Sequence, residues 1–319
     1  MKHNIKITVI LLSMFVITQL IGLYVLNADP YHIKTEVNGT IQLTENPSLS
    51  WIQPPEIQQE SDFGVYFGSM IISFIIAIII LFLLTKFKIS IIFRIWFFVV
   101  ITLALFISLS AILPKSIYFT VPILITALVL SFLKTFKRNI LLHNITELFI
   151  YPGIATVFVP ILNLWSVSLL LILISIYDIW AVWHSGIMQK MAKYQINKIK
   201  VFSGFFVPYL SKKMRLQLKK LRKSKSKKKI KANIAILGGG DVVFPIITAG
   251  VIFKTNIISL PFGLPPFVGG FLPALFIIAG ATLGLALLFI FSEKKKFYPA
   301  MPFISAGIFL GIILSYLVF

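Results

Sequence analysis

Three acids of this sequence, Glu147, Asp178 and Asp241, lie inside long apolar runs, and the two aspartates could act as a pair. Two carboxyls brought together in a low-dielectric setting cannot both ionise, so they share one proton and titrate as a unit. Such a pair can divide the labour of hydrolysis. The ionised member takes a proton from water, while the protonated member hydrogen-bonds the oxygen of the carbonyl under attack. That chemistry requires no metal or organic cofactor, and the rest of the sequence offers few alternatives. There is no cysteine, which excludes disulfides, iron–sulfur clusters and thiolate zinc sites. The four histidines, His3, His32, His143 and His184, show no HExxH or other ligand spacing, so a zinc hydrolase is not expected. No GxSxG occurs either, and serine chemistry lacks its motif.

The surroundings of Asp241 suit a reacting group. Gly238, Gly239 and Gly240 precede it in an otherwise apolar stretch. Three glycines weaken a helix, and without Cβ atoms they let water and a substrate backbone approach the carboxyl.

The elements that must position these acids are membrane spans. Hydrophobic residues make up 58% of the chain and charged residues 13%, with a mean hydropathy of +0.95; soluble domains carry roughly 25% charged residues. Apolar segments of spanning length run over 7–26, 63–85, 91–113, 116–133, 140–162, 165–187, 232–253, 268–292 and 299–319. The expected fold is therefore all-α, a polytopic membrane protein of nine transmembrane helices. A carboxylate near the centre of such a helix costs roughly 2.5–3.5 kcal/mol on insertion, which makes function its default explanation.

The basic residues set the orientation. With the N-terminus inside, 27 of the 30 Lys and Arg fall on cytoplasmic segments, and only Lys34, Lys115 and Lys254 fall outside. Nine spans with a cytoplasmic N-terminus and an external C-terminus satisfy the rule that basic residues stay inside. The run over 7–26 is longer than a signal-peptide core and no A-x-A follows it, so it reads as the first anchor. Two regions follow: 1–162, holding helices 1–5 and an outside loop over 27–62, and 163–319, holding catalytic helices 6–9 and a basic cytoplasmic loop over 188–231. The outside loop carries six of the ten acids and the pair Pro54-Pro55, and mostly irregular structure with a short hairpin is expected there.

The net charge of +20 is concentrated in Lys190–Lys231. That stretch lies between spans, so anionic lipid head groups are its expected partners and nucleic acid is not. Within it, 201–218 mixes aromatics with lysines and reads as an interfacial amphipathic helix.

Asp178 stands ten residues before Met188, where the sixth span ends, and Asp241 ten residues after Lys231, where the seventh begins. At 1.5 Å per residue both should lie roughly 15 Å deep, at one level on antiparallel helices.

At this point a resemblance is specific. Tyr177-Asp178 and Gly238-Gly239-Gly240-Asp241 resemble the YD and GxGD motifs of the presenilin and signal peptide peptidase family of intramembrane aspartyl proteases, and the chain looks like a prokaryotic, archaeal-type homologue. The resemblance implies a presenilin-like fold of nine spans, Asp178 and Asp241 as catalytic residues, no cofactor, and transmembrane-helix peptides as substrates. Its third motif, Pro-Ala-Leu at the start of the ninth span, borders the catalytic pair. Pro273-Ala274-Leu275 matches it literally but falls in the eighth span. Tyr298-Pro299-Ala300-Met301-Pro302 opens the ninth, so Pro299, Ala300 and Met301 are the expected site-shaping residues. Tyr177, Gly238, Gly239 and Gly240 complete the candidate site.

Glu147 follows His143 by one helical turn, and the two are expected to pair. Trp180, Trp183 and His184 read as anchors at head-group level. The competing function is a proton-coupled transporter with Asp178 and Asp241 as its relay. It leaves the co-occurrence of three ordered motifs unexplained, and no internal repeat of the transporter kind is found. Homo-oligomerisation is compatible with the sequence.

Overall fold

The computed structural model describes residues 5–37, 40–55, 57–86, 90–137, 139–184, 203–209, 233–255, 266–293 and 298–318. Nine helices are described: α1 (Ile5–Ala28), α2 (Glu60–Lys86), α3 (Ser90–Ile112), α4 (Ile117–Phe136), α5 (Ile140–Phe158), α6 (Leu164–Ile179), α7 (Gly239–Thr255), α8 (Pro266–Phe291) and α9 (Met301–Val318). Two hairpins interrupt them, β1 (His32–Val37) with β2 (Thr40–Glu45), and β3 (Gly204–Tyr209) with β4 (Asn233–Gly238). Most of the basic loop over 188–231 and of the stretch 201–218, with Lys294, Lys295 and Lys296, lies outside the described residues.

Apolar runs of this length become helices because lipid offers the backbone no hydrogen bonds, so each segment must satisfy its own. Asparagines mark two of the starts. Asn139 accepts from the amides of Leu141 and Leu142 at the head of α5, and Asn163 forms a reciprocal cap with Ser166 at the head of α6. Among the described residues, eight helices are long and apolar enough to cross a membrane.

The seventh expected span departs from that pattern. α7 has 17 residues, because 233–238 form a strand instead of its first turns. Ile234 and Ile236 face outward while Ala235 and Leu237 are buried, a period of two that suits a pleated strand. β4 pairs antiparallel with β3, and Gly204 lies opposite Gly238. β3 falls within the stretch expected as an amphipathic helix. Phe205 and Val207 are buried around a half-buried Phe206, so these residues alternate as a strand and the helical expectation is corrected there.

The loop between α1 and α2 holds the short hairpin β1–β2. The Lys115 ammonium, on the turn between α3 and α4, donates to the carbonyls of Ala28, Asp29 and His32. A cation there satisfies carbonyls that the C-terminus of α1 leaves without helical donors.

The main core runs between α1, α5, α6, α7, α8 and α9, where Leu11, Phe15, Leu171, Ile246, Ile277 and Ile304 are fully buried. A second cluster joins α3, α4 and α5 through Leu105, Phe106, Ala127 and Ile150. α8 and α9 meet backbone to backbone. A Cβ at Gly280 would run into the carbonyl oxygen of Gly307, and one at Gly307 into that of Gly280, while Gly284 faces the Phe303 carbonyl and Gly311 that of Phe276. Small residues permit this approach, which drives helix association where lipid removes the hydrophobic incentive.

Gly307→Leu should therefore lower the melting temperature in detergent by the equivalent of about 1–3 kcal/mol or more, the usual range for overpacking. Ala306→Leu, at an exposed neighbouring position, should leave it unchanged. Equal melting temperatures for the two variants would show that the interface yields.

Candidate active site

Asp178 sits in the last turn of α6 and is buried. The chain then widens into a single π-helical stretch, Trp180–His184, a local distortion frequent at functional sites. α9 begins against this carboxyl. The Met301 amide donates to Asp178 Oδ2 at 3.0 Å. Amides in a first helical turn have no partner within their own helix, and a carboxylate complements the positive end of the helix dipole. Ser175 Oγ donates to Ser305 Oγ at 3.0 Å, holding α6 to α9 about one turn away.

Asp241 is the third residue of α7, at the junction where β4 becomes helix. The equal-depth argument from helical rise therefore does not hold for it, because the preceding residues advance at about 3.3 Å each as a strand. Asp178 nevertheless ends α6 and Asp241 begins α7, on helices that pack together.

Each glycine of the triplet meets a different neighbour. A Cβ at Gly238 would stand 3.1 Å from Asp241 Oδ2, pressing on the carboxyl. At Gly239 it would meet the Tyr151 hydroxyl at 2.8 Å and Ser203 Oγ at 2.5 Å, so no side chain fits without displacing them. At Gly240 its nearest neighbour would be Phe244 at 3.8 Å, and that flank is open. Just beyond, Gln19 of α1 donates from Nε2 to the Val242 carbonyl at 2.9 Å. Pro245 leaves the Asp241 carbonyl without its helical donor, and the Gln19 bond anchors the next carbonyl from outside the helix.

Of the two Pro-Ala motifs, Pro299-Ala300-Met301 leads into α9 and its Met301 amide reaches Asp178. Pro273-Ala274-Leu275 lies inside α8, with Ala274 fully buried in the main core. Tyr177 is 44% exposed, with its ring 6.3 Å from that of Trp180. His143 Nε2 lies 3.5 Å from Glu147 Oε1, but a closer partner is the Lys134 ammonium at 2.8 Å, in a pair almost wholly buried. Sequence reading treated Lys134 only as a marker of topology. It gave no role to Gln19 or Tyr151, polar residues in apolar spans whose partners are distant in sequence. Among the described residues no three His, Cys, Asp or Glu side chains come together as metal ligands.

Comparison with known proteins bears on the fold and the family. None of the curated proteins compared with the chain matches it. Two solved structures are similar in fold, each described as a presenilin family intramembrane aspartate protease. One, in space group C222, has a TM-score of 0.59 at 17% identity and covers 98% of this chain and 99% of its own. The other, in space group P2, has a TM-score of 0.56 at 16% identity and covers 97% of each chain. The family described as "Signal-peptide peptidase, presenilin aspartyl protease" matches residues 40–319. Since that match spans most of the sequence, the chain belongs to this family and is a multi-pass intramembrane aspartyl protease.

Proposed function

We propose that Asp178 and Asp241 are the catalytic pair of this protease, acting on peptide bonds within transmembrane segments of other proteins or signal peptides. What supports the reading is that the two aspartates stand where α6 ends and α7 begins, on helices that pack together, with the first amide of α9 bonded to Asp178. The ionised carboxylate takes a proton from water, and the resulting hydroxide oxygen bonds to the scissile carbonyl carbon. The protonated partner gives its proton to the carbonyl oxygen, forming a neutral diol. On collapse the C–N bond breaks, the nitrogen takes a proton from one carboxyl, and a diol hydroxyl returns one to the other. The dyad ends with the single proton it began with.

Met301 holds Asp178 in orientation through its amide, and Pro299 and Ala300 shape the turn that delivers it. Gly238 and Gly239 keep Asp241 close to its neighbours, Gly240 leaves room for substrate backbone, and Tyr177 flanks Asp178. On this reading the catalytic machinery occupies 163–319, and 1–162 forms the scaffold. The distribution of basic residues supports a cytoplasmic N-terminus, an external C-terminus and a basic loop over 188–231 that contacts anionic lipid. A second copy of the chain is compatible with this arrangement.

Purified protein in detergent should cleave a generic transmembrane peptide and be blocked by a transition-state inhibitor of aspartyl proteases. The same protein in sealed liposomes should carry no proton flux. Flux without cleavage would favour the relay reading of the two aspartates.

A further inference from the structure

We propose that α5 is a positioning clasp: His143, Asn144 and Glu147 grip the backbone of β3, and through the β3–β4 pair they hold Asp241 in register with Asp178. The inference rests on Asp241 being catalytic. The contacts are made to main chain, so they fix the strand itself. Glu147 Oε1 accepts from the Gly204 amide at 3.2 Å. His143 Nε2 lies 2.7 Å from the Gly204 carbonyl oxygen; a carbonyl only accepts, so Nε2 carries the proton and donates. His143 Nδ1 is then free to accept from the Lys134 ammonium, 3.3 Å away. Asn144 bonds Phe206 both ways, accepting from its amide at 3.0 Å and donating to its carbonyl at 2.8 Å.

These bonds converge on the rung that matters. Gly204 pairs with Gly238 across the sheet, and Gly238 abuts the Asp241 carboxyl. Gly204 has a φ of 147°, a conformation that residues with a Cβ rarely adopt. One turn further along α5, the Tyr151 hydroxyl lies 3.3 Å from Ser203 Oγ and packs against Gly239. One face of α5 therefore contacts Gly204, the partner of the last residue of β4, and Gly239, the first residue of α7. A two-stranded hairpin has little stability of its own, so its position is set by what it is fastened to. A buried ion pair is weak evidence for stability but well suited to fixing one arrangement, and Lys134–Glu147 supplies it here.

The test compares two charge-neutral pairs in the full-length protein, Lys134→Met/Glu147→Gln and Lys134→Met/Glu147→Leu, with Asn144→Ala as a third variant. Only the glutamine can still accept from the Gly204 amide. For cleavage of a transmembrane peptide in detergent, the leucine pair should lose roughly 10²-fold in kcat, the scale of a slight misplacement of a catalytic group, with KM little changed. The glutamine pair should keep most of its kcat at a similar melting temperature, and Asn144→Ala should fall in the same direction as the leucine pair. Asn139→Ala, which loses only the α5 cap, should lower the melting temperature without lowering kcat. Equal kcat for the leucine and glutamine pairs would overturn the clasp; if the leucine pair fails to fold, unchanged kcat in Asn144→Ala would do so. Asp241→Ala is measured alongside. Inactivity there with normal clasp variants removes the clasp alone, whereas retained cleavage removes the catalytic assignment and the clasp with it.

Discussion

Asp178→Ala and Asp241→Ala should each abolish cleavage of a transmembrane peptide, with losses of several orders of magnitude in kcat. Neither carboxyl can activate water and also protonate the carbonyl oxygen, and each of those steps contributes ~10² to 10⁴. The two variants should differ in stability. Removing Asp241 relieves an intramembrane carboxyl that costs roughly 2.5–3.5 kcal/mol on insertion, so folding should hold or improve. Removing Asp178 also strands the Met301 amide. Asp178→Asn separates the effects, since its amide oxygen still accepts from Met301 while its acid–base function is gone. It should be inactive and as stable as the unsubstituted protein. Glu45→Gln, in the β1–β2 hairpin, is the control for any general effect of acid removal. Near-normal cleavage by folded Asp178→Asn or Asp241→Ala would end the two-carboxyl mechanism.

Met301→Pro should cost about 10- to 100-fold in kcat relative to Met301→Ala, because hydrogen bonds to charged groups contribute roughly 1.5–3 kcal/mol. The comparison isolates one N–H group. Both variants lose the buried methionine side chain, but only proline loses the amide that donates to Asp178. Met301 is the first residue of α9, where proline is well tolerated and removes no bond of the helical ladder. Beyond the shared loss of the side chain, the proline variant should lose stability only by the contribution of that one bond, while its activity diverges from that of the alanine variant. Equal kcat would mean that Asp178 is oriented by its own helix and needs no help from α9.

Much of this site is legible in the sequence for a simple reason. Acids in apolar spans are expensive, so Asp178 and Asp241 stand out at once, and the glycine triplet marks which flank of Asp241 must stay open. The choice between two Pro-Ala motifs follows from counting spans, and Met301 does lie at Asp178 whereas Ala274 is packed in the core. The β3–β4 hairpin was hidden because four alternating apolar residues, Ile234 to Leu237, look like the start of a span when read only for hydropathy. Their two-residue period is real but too short to stand against twenty residues of apolar sequence. The ties from α5 to β3 were hidden by distance, since Glu147 and Gly204 lie 57 residues apart and Asn144 and Phe206 lie 62 apart.

The glycine contacts between α8 and α9 bear on how the site can move. Carbonyls resting on the opposite backbone leave no side chains between the helices to swing aside, so the two helices travel as one rigid body. The Met301 amide stands at the end of that body. Moving that amide relative to α6 therefore takes more than a rotamer flip in nanoseconds. It moves only when two whole helices tilt or slide together, motion that belongs to the microsecond-to-millisecond range, so the donor that Asp178 faces is repositioned by a slow collective step.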